Sequence, residues 1–150
     1  MNKPIDYETD FYAWVQHHAD LLRQRQFSEL DIEHLIEELE SMGKRDRREL
    51  TSRFKILLAH LLKWQYQPSY RCSSWRGSIA EQRLQINDLI KANPGLKSYL
   101  PEAIISAYPE AVELASDETG LPQAIFSTTC TYSIEQLLDK KFYSSTDKLE

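Results

Sequence analysis

Eight residues constrain this 150-residue chain more than any others: Ile32, Ile36, Leu39, Gly43, Leu50, Phe54, Leu57 and Leu61. At about 100° per residue they fall within a band roughly 60° wide, so one stripe keeps its phase across thirty positions. The phase survives Gly43 and the charged run KRDRRE. Glu40 with Lys44, Arg45 with Glu49, and Glu49 with Arg53 are i,i+4 pairs that support helix through this polar middle. Two readings stay open: one helix over residues 31–66, continuous or gently bent, or two helices broken at Gly43. About 36 residues of helix measure about 54 Å, against a diameter of roughly 38 Å for a compact chain of this length. An unbroken helix therefore predicts an elongated molecule, a bend, or an overhang covered by a partner.

The rest of the chain supplies helices to pack on this one. Phe11, Trp14, Val15, His18, Leu21 and Leu22 recur at three- and four-residue steps and predict a first helix from Asp6 to Gln26. Ser28 or Asp31 caps the next. Folded back antiparallel, the first helix places Trp14 opposite Gly43, a large ring against a missing side chain. A third helix from Ser74 to Ala92 carries Trp75, Ile79, Ile86, Leu89 and Ile90 inward and stops at Asn93, Pro94 and Gly95. A fourth runs from Pro101 to Glu118, with a kink or break at Pro109 and Gly120 as its C-terminal cap. Ser133 and Gln136 stand in capping-box spacing ahead of a short last helix. No pair of segments reads as strands. The expected fold is all-α: an elongated helical bundle on one long central helix, flanked by two antiparallel helices, with a kinked C-terminal helix. One domain spans residues 1–143, and residues 144–150 form a loose polar tail.

Composition removes several function classes. The net charge of −5 opposes bulk attraction to nucleic acid or an anionic membrane. Arg45, Arg47 and Arg48 are interrupted by Asp46 and Glu49 and read as a solvated helix face. No apolar run approaches the roughly 18 residues of a membrane span, and the start lacks the apolar core of a signal peptide. Two cysteines, Cys72 and Cys130, match no metal or redox spacing. A reduced, cytoplasmic location is expected.

The stretch LLAHLLKWQYQPSYRCSSWR, Leu57 to Arg76, gathers the candidate site. His60 and Trp64 share a helix side, and an antiparallel return brings Trp75 near Trp64 and Ile79 near His60. Gln82 lies on the inner stripe, where a polar side chain must find a partner. His60, Trp64, Trp75, Arg76 and Gln82 thus form a candidate polar-aromatic pocket at one end of the bundle; the plainer reading makes them boundary residues that tie down the loop. No catalytic set is assembled. The Glu-x-x-His pairs of a carboxylate-bridged metal bundle are absent, so no metal is expected. No phosphate-cradling glycine loop or nucleophile elbow occurs, and no cofactor is expected. Cys72, beside Arg71 and ahead of a helix, is an incidental thiol on this reading.

The segments YETDFYAW, DIEHLIEELESMG, LLAHLLKWQYQP, DETGLP and YSIEQLLD, with the pattern W-x-x-S-I-x-E-Q-R from Trp75 to Arg83, resemble the bacterial family named domain of unknown function 29. The resemblance covers residues 7 to 143. It implies a small, helical, cytoplasmic bacterial protein and carries over no catalytic residue. The functional expectation is a non-enzymatic protein–protein interaction or regulatory module, whose partner is another protein or a second copy in a homodimer. The alternative is a small-ligand binder or enzyme using the pocket near His60, Trp64 and Trp75.

Overall fold

The computed structural model describes residues 5–145, and it is an all-α helical bundle. Five α-helices follow in order: α1 (Phe11–Arg23), α2 (Ile32–Tyr66), α3 (Ser73–Ala92), α4 (Leu100–Thr119) and α5 (Ile134–Leu138). Among the described residues there is no strand, and no helix is long and apolar enough to cross a membrane.

α2 is continuous through Gly43. Of the three i,i+4 pairs read from the sequence, Arg53–Glu49 closes to 3.7 Å. Asp31 starts this helix by accepting the His34 amide. α1 begins later than its apolar pattern suggested, because the Asp10 carboxylate accepts the Ala13 amide and sets the cap. It ends before Gln26 because Arg25 turns to φ 57°, the left-handed region where a helix stops. α4 runs unbroken through Pro109. The hydrogen bond that proline removes is the one to the carbonyl of Ile105, and both residues lie on the exposed face, Ile105 at 73%. Gly120 closes α4 at φ 76°, and Ser133 with Gln136 forms the full capping box of α5.

Contacts cluster into two compact units that divide between Lys44 and Arg45, inside α2 and inside the expected single span. The C-terminal unit holds the core. Leu50, Phe54, Leu57, Leu58 and Leu61 of α2 pack with Ile79 and Ile86 of α3. Ala103, Ala107, Ala111 and Ala115 form a row of fully buried small residues, which lets α4 approach the cluster closely. Phe126 and Leu137 complete it. The chain stays packed past Tyr143: Ser144 is buried and donates to the carbonyl of Leu61, where the sequence suggested a loose tail. Residues 146–150 of that tail lie outside the described residues.

The N-terminal unit is an antiparallel hairpin of α1 on the first turns of α2. Its order is set by polar contacts: Tyr7 Oη donates to Glu38, and the Asp31 amide donates to His18 Nε2 at 3.0 Å. Trp14, His18 and Leu21 are its buried side chains on α1.

Candidate functional site

The residues singled out at the end of α2 have separate partners. Trp64, only 7% exposed, packs on the Tyr143 ring at 4.8 Å. The guanidinium groups of Arg71 and Arg76 lie 5.1 and 5.5 Å from its ring centre, and Arg71 Nε donates to its carbonyl at 2.8 Å. Trp64 and Arg76 therefore meet. Trp75 instead carries Lys63 Nζ 4.8 Å above its ring, and that buried ammonium pairs with Glu118 at 3.5 Å. Gln82 accepts from Arg53 at 3.5 Å. His60 Nδ1 donates to the Ile56 carbonyl of its own helix at 2.8 Å, since a carbonyl can only accept. Burial holds the His60 pKa below its ordinary value. The cations cover aromatic faces and pin the loop after α2 and the segment around Tyr143 to the core.

The sequence reading missed Arg83. It is buried in α3, and it donates from Nε to the Leu137 carbonyl at 2.8 Å and from Nη2 to the Gln136 carbonyl at 3.2 Å. Both carbonyls lie in the last turn of α5, at the negative end of its dipole, and the Gln136 carbonyl also accepts the Asp139 amide at 3.3 Å. Its guanidinium also lies 5.7 Å from the Tyr143 ring centre. Burial lowers its pKa, against the opposing pull of Tyr143 and Asp139. The signal was an arginine one residue after an inward glutamine, at the end of the W-x-x-S-I-x-E-Q-R pattern.

The N-terminal hairpin places a different set of chemistry on the surface. Tyr7 stacks on His34 at 3.9 Å and Trp14 on His18 at 4.1 Å. His18 is a neutral imidazole with its proton on Nδ1, because Nδ1 faces the Trp14 carbonyl and Nε2 accepts the Asp31 amide. His34 Nδ1 lies 2.5 Å from the Asp31 carboxylate; this contact raises the pKa of His34 and lowers that of Asp31. The hydrogen bond to Glu38 pushes Tyr7 up to about 12.

Around this small polar-aromatic seam, large apolar side chains stay exposed. Among the described residues, ten of the fourteen large apolar side chains left open to solvent precede Gly43. α1 exposes Phe11, Val15 and Leu22, and α2 exposes Ile32, Ile36, Leu39 and Met42. Gly43 does not receive Trp14: a Cβ built there meets nothing within 4 Å, because Trp14 packs instead among Tyr7, Phe11, His18 and His34. On each helix the exposed set is rotated from the buried seam by about 70–120° in the same sense, at about 100° per residue. Antiparallel helices turned in the same sense expose the same side. The hairpin therefore presents one apolar face built from both helices.

A cavity of about 490 Å³ lies between α4 and the segment leading to α5, lined by Ile104, Tyr108, Pro109, Cys130, Tyr132 and Ile134 among others. The Tyr108 hydroxyl donates out of it to the Ser127 carbonyl, and burial pushes Tyr108 up to about 12 and raises the Cys130 thiol. None of the five candidate residues lines it. Among the described residues no three His, Cys, Asp or Glu side chains converge as metal ligands would.

No curated protein and no solved structure matches this chain. The family model described as domain of unknown function DUF29 matches residues 7–143, which is nearly the whole chain, and the protein belongs to that family.

Proposed function

We propose that this protein is a non-enzymatic interaction module of the cytoplasm, and that the apolar face of its N-terminal hairpin docks another protein molecule. The observation that carries the reading is the concentration of exposed apolar side chains before Gly43, with Leu39 at 67% and Tyr12 at 76%. Single exposed apolar residues are ordinary, whereas a contiguous apolar patch with a polar rim marks an interaction site. The test is native mass spectrometry on the protein isolated gently from its host, beside an Ile36→Lys/Leu39→Lys variant. An added protein mass on the wild type that disappears from the variant is the expected result. A bare chain in both, or an added mass that survives both substitutions, overturns the reading.

A second reading, binding of a small apolar molecule, draws on the cavity beside Tyr108 and Cys130. The same spectra separate the two. An added mass of a few hundred daltons that the hairpin variant retains supports the cavity.

A further inference from the structure

We propose that the cavity between α4 and residues 128–134 binds a small neutral aromatic molecule that carries an N–H or O–H donor. This takes further, and rests on, the second reading above, and it is independent of the hairpin face. The cavity lies wholly within the C-terminal unit. Its volume of about 490 Å³ is in the range of pockets that enclose most of a small ligand's surface.

The neutrality of the walls sets the class of ligand. Among the described residues that line the cavity there is no Asp, Glu, Lys, Arg or His. Tyr108, Cys130 and Tyr132 are the lining groups that could ionise, and burial raises all three, so the walls are uncharged at neutral pH. An ionised ligand group buried there would lose its hydration and gain no counter-charge. The Cys130 thiol stays protonated and donates to the Tyr132 carbonyl at 3.6 Å; it is not the thiolate that covalent chemistry needs. Both tyrosine hydroxyls are committed as well, Tyr108 to the Ser127 carbonyl and Tyr132 to Gln65. With those hydroxyls occupied, the two tyrosines contribute ring rather than a polar tip, and a ring on the ligand packs well against ring.

The donor on the ligand answers an acceptor that the helix leaves open. Pro109 has no N–H, so the carbonyl of Ile105 lacks the partner that position i+4 supplies in an α-helix. Ile105 and Pro109 stand about one turn apart and both line the cavity, which puts that carbonyl at its wall. On the other wall, the hydroxyls of Thr128 and Thr129 make no hydrogen bond among the described residues and are open to a second polar atom. Ile105 is also the most exposed large apolar side chain after Gly43 among the described residues. A proline inside a helix and an apolar side chain left in the open are each a local cost, and folded sequences keep such costs at functional sites. Here both fall at one cavity.

The test is fluorescence titration of the purified full chain with N-phenyl-1-naphthylamine, a neutral aromatic amine with a single N–H. Its N-methyl derivative and its sulfonated analogue, 1-anilinonaphthalene-8-sulfonate, are titrated beside it. Wild type is expected to bind a single equivalent of the amine, and the sulfonate roughly tenfold or more weakly. Pro109→Ala returns an amide to the Ile105 carbonyl and improves the helix, so this variant folds. It is expected to bind the amine about 3- to 10-fold more weakly and the N-methyl derivative as wild type does. Ile105→Glu sets a charge beside the cavity at an exposed position and is expected to weaken both neutral probes roughly tenfold or more. Equal binding of amine and sulfonate overturns the proposal, as does a wild type that binds none of the probes. Binding that survives Ile105→Glu also overturns it. So does binding lost on Ile36→Lys/Leu39→Lys substitution, which places the probe on the hairpin face instead. If the N-methyl derivative binds as tightly as the amine and leaves on Ile105→Glu, the cavity stands as a small-molecule site and the donor assigned to its ligand falls.

Discussion

The same apolar stripe on α2 lives in two environments. Leu50, Phe54, Leu57 and Leu61 are wholly buried, whereas Ile32, Ile36 and Leu39, in the same rotational phase, are more than half exposed or at that limit. The buried stretch is covered by α3 and by the alanine row of α4. Within the N-terminal unit α1 lies beside the exposed stretch, held to one flank by polar contacts of Tyr7, His18 and Asp31. The two stretches also differ in charge, the exposed one holding Glu33, Glu37 and Glu38 with no lysine or arginine and the buried one Arg53 and Lys55 with no acid. An apolar period states which side of a helix wants cover. It does not state whether the cover comes from the same chain.

The widest contrast is between Phe54→Ala and Leu39→Ala. Phe54 is enclosed on every side, and its truncation is expected to cost about 3–5 kcal/mol through lost burial and the cavity left behind. Leu39→Ala in dilute solution is expected to stay within about 0.5 kcal/mol, as for an exposed position. Urea unfolding of both variants checks this. A Leu39→Ala cost above about 2 kcal/mol would mean that the stripe is covered within one chain, and the comparison would fail.

Much of the fold was legible because helix periodicity is local. The stripe on α2, the Gly120 stop and the Ser133 capping box each follow from a handful of neighbouring residues. The expected meeting of Trp14 with Gly43 does not occur, and the sequence could not show this, since it depends on where α1 lies across α2, and that is decided by Tyr7 reaching Glu38 from 31 positions away. The division near Lys44 left no mark in apolar content but did leave one in charge, which falls from dense acid to mixed sign within a few residues. At the candidate site, the nearness of Trp64 and Arg76 followed from the antiparallel return of α3. The roles of Arg83 and Tyr143 did not, because both depend on the chain after α4 coming back to α2 and α3.

His18→Phe sharpens the comparison at the hairpin. Phenylalanine keeps a ring against Trp14 but offers no acceptor to the Asp31 amide, which His18 Nε2 now satisfies. Leaving a half-buried amide unpaired costs about 1–3 kcal/mol. Amide exchange should accelerate through residues 11–38 and stay unchanged at Leu57 and Leu61. Acceleration in both places would show that the two units unfold together.

Acid separates them in opposite senses. The Asp31 contact raises His34, so its contribution is whole below the ordinary histidine value of 6.5 and fades as pH rises through the raised one. Asp31 is lowered by the same bond; its contribution is whole above its ordinary 3.8 and fades as pH falls through the lowered value. The pair is thus strongest between about pH 4 and 6.5. His60 is lowered by burial, so its contribution is whole above 6.5 and fades as pH falls through the lowered value. Between pH 8 and 5, protection at His34 should rise while protection around His60 falls. Asp31→Asn should flatten the first trend and leave the second. Parallel trends would remove the distinction.

The smallest effects compare two glycines. A Cβ at Gly77 in α3 or at Gly43 in α2 meets nothing within 4 Å, so alanine at either site gains helix propensity, about 0.5–1 kcal/mol. For Gly77→Ala the gain in unfolding free energy should be the same at every protein concentration. For Gly43→Ala the gain in dilute solution should be of the same size, because the exposed stretch of α2 leaves that position as open as Gly77. A loss at Gly43 beside a gain at Gly77 would show that the stripe is closed over at that point, and the contrast between the exposed and buried stretches of α2 would fail there.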